Sequence, residues 1–140
     1  MGKKGYKLNV LFFGIDKKNR FDGATNLGKL SREELFELYK KCDFGMTASM
    51  SNISLVPYEM LATGLPLVEF RNGSYKFFLG DDTALLIDFD YKELADKIIE
   101  AVNSPEILEK MHENVEKKLK KLSWDNTCEQ FWNILNSVKE

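Results

Sequence analysis

His112 is the one histidine of the sequence. It stands mid-helix among Glu109, Lys110 and Glu113, as an ordinary surface residue does. No H-E-x-x-H, G-x-S-x-G or Walker phosphate loop occurs, and Gly2, Gly5 and Gly14 do not make a dinucleotide fingerprint. Asp81-Asp82 and the Asp88/Asp90 pair are the right residue types for a cation. A turn accounts for the first pair and a helix cap for the second, so no metal is assigned. Cys42 and Cys128 make neither a metal site nor a disulfide framework. Each falls in an apolar pattern that suits a small buried thiol. Trp124 and Trp132 read as packing anchors of a capped amphipathic helix, not as a stacking platform. These residue types therefore assign no catalytic residue and no cofactor.

The segment with binding chemistry is 49–64. An apolar strand ends, a Ser/Asn-rich loop follows, and a helix opens with Pro57-Tyr58-Glu59. Ligands of open parallel sheets bind outside the carboxyl ends of strands, where such loops lie. The first amides of a helix are unpaired donors and its dipole favours negative charge there. The amides of Ile53, Ser54 and Leu55 are thus placed to hold a diphosphate. Glu59 can accept two hydrogen bonds from a vicinal diol such as the ribose hydroxyls. The simpler alternative is that Glu59 only complements the helix dipole.

The elements that must position this segment alternate between short apolar runs and amphipathic stretches, the pattern of an α/β domain with a mostly parallel sheet. Residues 8–13 read as a buried strand. A polar loop over 16–23 and a weaker strand at 24–27 follow. Ser31 and Glu34 form a capping box for a helix with Leu35, Leu38, Tyr39 and Cys42 on one face. Strands are expected at 44–48, 67–70 and 84–87, with a helix from Pro57 to Gly64 between the first two. The stretch from 73 to 79 is ambiguous. Asp90 with Glu93, Ser104-Pro105 and Ser123 then open three closing helices. In the last of these Cys128, Phe131, Leu135 and Val138 are expected as the buried stripe.

Composition agrees with one globular unit over 1–140, without a repeat or a domain-scale linker. Apolar residues make up 44% and charged residues 30%, and the net charge of −2 argues against a nucleic-acid partner. The lysines at 117, 118, 120 and 121 read as a solvated helix face. No apolar run approaches membrane-spanning length, and the N-terminus has neither a signal peptide's apolar stretch nor a myristoylation site. The chain reads as soluble and cytoplasmic.

The stretch Leu38-Tyr39, Cys42-Asp43-Phe44, Ser49 and Pro57-Tyr58-Glu59-Met60-Leu61-Ala62-Thr63-Gly64-Leu65-Pro66-Leu67-Val68 resembles the donor-binding, C-terminal domain of retaining GT-B glycosyltransferases of the group 1 type. There a Pro-x-Glu-hydrophobic-Ala-x-Gly-x-Pro-Val-Val phrase follows a strand and a loop ending in Ser. Leu85-Leu86-Ile87-Asp88, Glu93-Leu94-Ala95-Asp96-Lys97-Ile98 and Ser123-Trp124 extend the likeness to residues 24–138. The resemblance implies a Rossmann-like parallel sheet with helices on both faces and a helical C-terminus. It implies that Glu59 meets the donor's ribose and that Asn52, Ile53, Ser54 and Leu55 meet the sugar and diphosphate of a nucleotide-diphospho-sugar.

Ser51 stands where many members carry a second glutamate, and Asn52-Ile53-Ser54 replaces a Gly-Phe-Gly-type stretch. Some polymer-building relatives share such departures. The opening strand and helix with a basic pair, and the N-terminal acceptor domain, have no counterpart, so the unit is read as truncated at its N-terminal edge. Function is expected as donor binding in metal-independent, retaining transfer within a parent enzyme, the isolated chain being inactive. The rivals are a degenerate GT-B-like fragment serving as a protein-interaction module and an unrelated flavodoxin-like domain.

Overall fold

The structure is a computed structural model that describes residues 5–48 and 50–138. Its contacts gather into two compact units, Met1–Asp43 and Phe44–Glu140.

In the first unit β1 (Val10–Phe12) and β2 (Ala24–Asn26) pair in parallel, from Val10 opposite Ala24 to Phe12 opposite Asn26. The polar loop between them is held by Asn26. Its Nδ2 donates to the carbonyls of Asp16 and Asn19, both at 2.8 Å, and its Oδ1 accepts from the Gly28 amide. Helix α1 (Arg32–Tyr39) starts with the expected capping box, Ser31 and Glu34 each bonding the other's amide. The expected buried strand over 8–13 is corrected: β1 is three residues long, and Leu11 and Phe12 stand 39% and 41% exposed. This ladder is two strands wide, so β1 has one strand neighbour and little to bury against.

The second unit carries the parallel sheet β3 (Gly45–Met46), β4 (Leu67–Phe70) and β5 (Leu85–Ile87), with β4 in the centre. All four residues of β4 are buried, as a doubly covered parallel strand requires. Val68 and Phe70 face one layer, packing with Leu85, Ile87, Ala101 and Met111 under α4 (Tyr91–Asn103) and α5 (Pro105–Leu119). Leu67 turns the other way, toward α2 (Val56–Ala62), since successive strand residues alternate faces. The approach of α2 is close. A Cβ added at Gly45 would lie 2.7 Å from Met60 Sδ and 2.8 Å from Leu67 Cδ2. Helices thus flank parallel strands on both sides, giving the expected α/β class with a helical C-terminus.

Three details differ from expectation. The ambiguous stretch contains a short helix, α3 (Tyr75–Leu79), anchored by the buried Tyr75, whose hydroxyl meets the carbonyl and hydroxyl of Thr83. Asp90 caps α4 through the Lys92 amide, but Glu93 turns away to accept from the Asp88 amide and Arg71. Helix α6 (Trp124–Ser137) forms behind its Ser123 cap, yet buries no residue. The expected buried stripe is therefore corrected: Cys128 is exposed, and Phe131, Leu135 and Val138 are 61%, 41% and 78% exposed. Trp124 and Trp132, at 85% and 62%, anchor no core. Helical spacing creates an apolar stripe but does not supply a surface to cover it.

Candidate functional site

All three strands of the second unit are parallel, so the segments after Met46, Phe70 and Ile87 leave the same edge of the sheet. The candidate site is built on the first of these. Ser49, where the resembling phrase places its loop-ending serine, lies outside the described residues. Ser51 and Asn52 are exposed, and the Ser51 hydroxyl donates to Asn52 Oδ1 at 3.4 Å. Ile53 is partly buried and Ser54 exposed. Leu55, 74% exposed, is the residue from which α2 starts, and its carbonyl accepts from the Glu59 amide at 3.0 Å.

The start of α2 is short of free donors. The Val56 amide already donates to the Ser54 hydroxyl at 3.3 Å, and Pro57 has no N–H. The amides of Ile53, Ser54 and Leu55 are not engaged by any other described residue. Glu59 lies in the first turn of α2, partly buried, and no described residue pairs with its carboxylate. The loop amides and this carboxylate thus share one end of a short helix at the carboxyl edge of the sheet.

Two further groups at that edge were missed in the sequence. Arg71 follows β4, but its guanidinium is held by Glu93 at 2.8 Å, the Leu86 carbonyl at 3.0 Å and Asp88 at 3.3 Å. The second is Glu69, inside β4 and only 1% exposed. Its carboxyl accepts a short hydrogen bond from the Thr47 hydroxyl and bonds from the amides of Thr47 and Phe70. Burial pushes its pKa up to about 7, and those three bonds pull the other way. The signal in the sequence was a lone carboxylate in the apolar run Leu67-Val68-Glu69-Phe70. Beyond the edge, a shallow cleft of about 250 Å³ runs between the far end of α2 and α5, lined by Leu61, Gly64, His112 and Leu119 among others. None of residues 51–59 lines it. Among the described residues no cluster of His, Cys, Asp and Glu has the makings of a metal site. No described helix is long and apolar enough to cross a membrane.

Comparison with known proteins matches most of the chain. The family described as glycosyl transferases group 1 matches residues 4–118. The uncharacterized glycosyltransferase MJ1178 of Methanocaldococcus jannaschii is 29% identical over 111 residues, covering 77% of this chain and 32% of that protein. Among solved structures, sucrose-phosphate synthase from Thermosynechococcus elongatus superposes with a TM-score of 0.68 at 19% identity, over 93% of this chain and 38% of that one. The α,α-trehalose 6-phosphate synthase of Burkholderia multivorans gives 0.65 at 20% identity, over 85% and 27%. At these identities the structures show a shared fold. The chain spans well under half the length of each of these relatives.

Proposed function

Because the chain belongs to the glycosyl transferases group 1 family, we propose that it is the donor-binding half of a two-domain GT-B enzyme that transfers sugar with retention and without a metal. One observation supports this reading: at the carboxyl edge of the sheet the amides of residues 53–55 have no partner among the described residues, and Glu59, in the first turn of the helix that follows, has none there for its carboxylate. The amides of Ile53, Ser54 and Leu55 take the diphosphate, and Glu59 takes the ribose diol. Ser51 and Asn52 border the transferred sugar. Leaving-group stabilisation of this kind uses preorganised amides where charge develops, so a divalent cation is not required. The acceptor wall belongs to a second, N-terminal domain, and this chain's matching only 38% of the length of the sucrose-phosphate synthase supports such a division.

Binding by the chain alone should be weak. With one wall of the cleft, the affinity expected for uridine, guanosine or thymidine diphosphate is high micromolar to millimolar, about −4 to −6 kcal/mol. Glu59→Ala should cost about 1.5–3 kcal/mol of that, the range for charge-assisted hydrogen bonds. It should scarcely alter folding, since a first-turn acid contributes roughly 0.3–1 kcal/mol through the dipole. NMR titration reads affinity and location together. Shifts clustered away from residues 51–59, or wild-type affinity in Glu59→Ala, would remove the donor assignment, and loss of binding in EDTA would remove the metal-free mechanism.

A second reading, a non-catalytic fragment that serves as an interaction module, draws on the uncovered apolar stripe of α6 and on Ser51 in place of an acid. Nucleotide titration separates the two. Under either reading the isolated chain transfers no sugar, because the positioning that makes transfer fast needs both walls. Incubation with nucleotide-sugars and oligosaccharide acceptors, followed by mass spectrometry, should give no product. Glycosylated product absent from a Glu59→Ala control would overturn this expectation.

A further inference from the structure

Glu69 plays no part in the donor contacts above, yet it is the charged residue most deeply placed beneath them. It stands in the central strand, 1% exposed, and in the parallel register the residue that comes beside it is Thr47, directly after β3 and one step past the paired Met46 and Val68. Thr47 is where the chain leaves the sheet for the donor segment. Both the hydroxyl and the amide of Thr47 donate to the Glu69 carboxyl, and the Phe70 amide adds a third bond.

We propose that Glu69 is a positioning residue for the donor segment, holding Thr47 and, through it, the way residues 50–55 leave the sheet. The inference rests on the donor-binding reading for its functional meaning, but the hold on Thr47 is a feature of the fold itself. A carboxylate accepts all three bonds at once. A protonated carboxyl has one oxygen that must donate, so one of the three donors is given up or the Thr47 hydroxyl must turn. Because burial pushes Glu69 up to about 7, the two forms exchange near neutral pH. Leu86 is its neighbour on β5 and contributes no charge. Tyr75 of α3 lies close enough to feel the carboxylate, and Tyr58 of α2 and Asp82, in the loop before β5, act electrostatically on Tyr75. Burial raises both phenols, so neither ionises in this range.

The test has two arms, both by NMR on the full chain. In the first, without ligand, the amide resonances of residues 47–55 should titrate with a midpoint near 7. In Glu69→Gln the response should be flat, in Thr47→Val, which loses the hydroxyl bond but keeps the amide bond, it should shrink, and in Thr47→Ser, which keeps the hydroxyl, it should return in full. In the second, UDP-glucose and GDP-glucose are titrated in from pH 6 to 8.5; these diesters have no phosphate that ionises in that window. Wild-type affinity should rise about fivefold with pH, the worth of one net hydrogen bond, and Glu69→Gln should lose the rise. Thr47→Val guards against a fold effect, since it keeps the shape of threonine. Loop amides that ignore pH, or that titrate equally in Glu69→Gln, overturn the proposal even if nucleotide-sugars bind. Loop amides that titrate through Glu69 while neither nucleotide-sugar binds at any pH overturn the donor reading and leave the hold on Thr47 established.

Discussion

Raising the pH from 5 to 8 is expected to lower the unfolding free energy of this chain by about 3 kcal/mol through Glu69 alone. The carboxyl titrates at an ordinary 4.5 in the unfolded chain and at about 7 in the fold. Between those values the folded state keeps a proton that the unfolded state has released. The stabilisation is therefore complete below 4.5, falls as pH rises, and is gone above about 7. Glu37 works in the opposite direction at lower pH: its hydrogen bond to Lys40 holds its carboxyl below the usual range. That contribution is common to wild type and variant and cancels between them. Urea unfolding followed by far-UV circular dichroism, on wild type and Glu69→Gln, isolates the effect. The variant should gain about 3 kcal/mol on wild type between pH 5 and 8. Parallel pH profiles would mean that the carboxyl is not buried as described.

Leu67→Ala should cost about 2–5 kcal/mol, the range for emptying a fully buried leucine site. Leu67 is 0% exposed in the central strand and reaches over Gly45, toward Met60 and Leu65. A glycine beneath the vacated space has no side chain with which to refill it, and the β4 backbone cannot move inward without breaking its ladders to β3 and β5. The consequence reaches the site, because α2 carries Glu59 and rests on this contact. Gly45→Ala, placed in the Leu67→Ala background, should restore part of the loss, whereas alone it overpacks by about 1–3 kcal/mol. Denaturation midpoints of the two single variants and the double variant decide the matter. A loss below about 1 kcal/mol for Leu67→Ala would be too small for a collapsed-core substitution and would contradict the docking of α2 on the sheet.

Where local chemistry was sufficient, the sequence spoke clearly. Ser31 and Glu34 specify a helix start without help from any distant residue, and the box forms as read. The continuous run from Leu67 to Phe70 marks a doubly covered strand, and Gly64 ends α2 in the left-handed conformation (φ +82°) that glycine adopts without strain. What escaped the sequence depends on tertiary neighbours. The strand at 8–13 is apolar enough to be buried, but only the width of the sheet decides whether it is. Tyr75 anchors a five-residue helix because Thr83, eight residues on, receives its hydroxyl. Glu69 drew no reading from the sequence, since nothing in its neighbours along the chain names Thr47 as its partner. Residues 50–55 do follow β3 at the carboxyl edge of a parallel sheet, as the alternation of elements along the chain led one to expect. The commitment of the Val56 amide to the Ser54 hydroxyl depends on how the loop turns into α2, which residue types alone do not specify.

Both tryptophans of the chain, Trp124 and Trp132, sit on the uncovered helix α6. Their indoles are already largely in water in the folded state, so tryptophan emission reports little of the collapse of the core. Emission will change little across a denaturation curve that dichroism shows to be cooperative. The same placement makes the indoles reporters of whatever comes to lie on α6: a blue shift on mixing with another protein signals that the stripe has been covered, without any label.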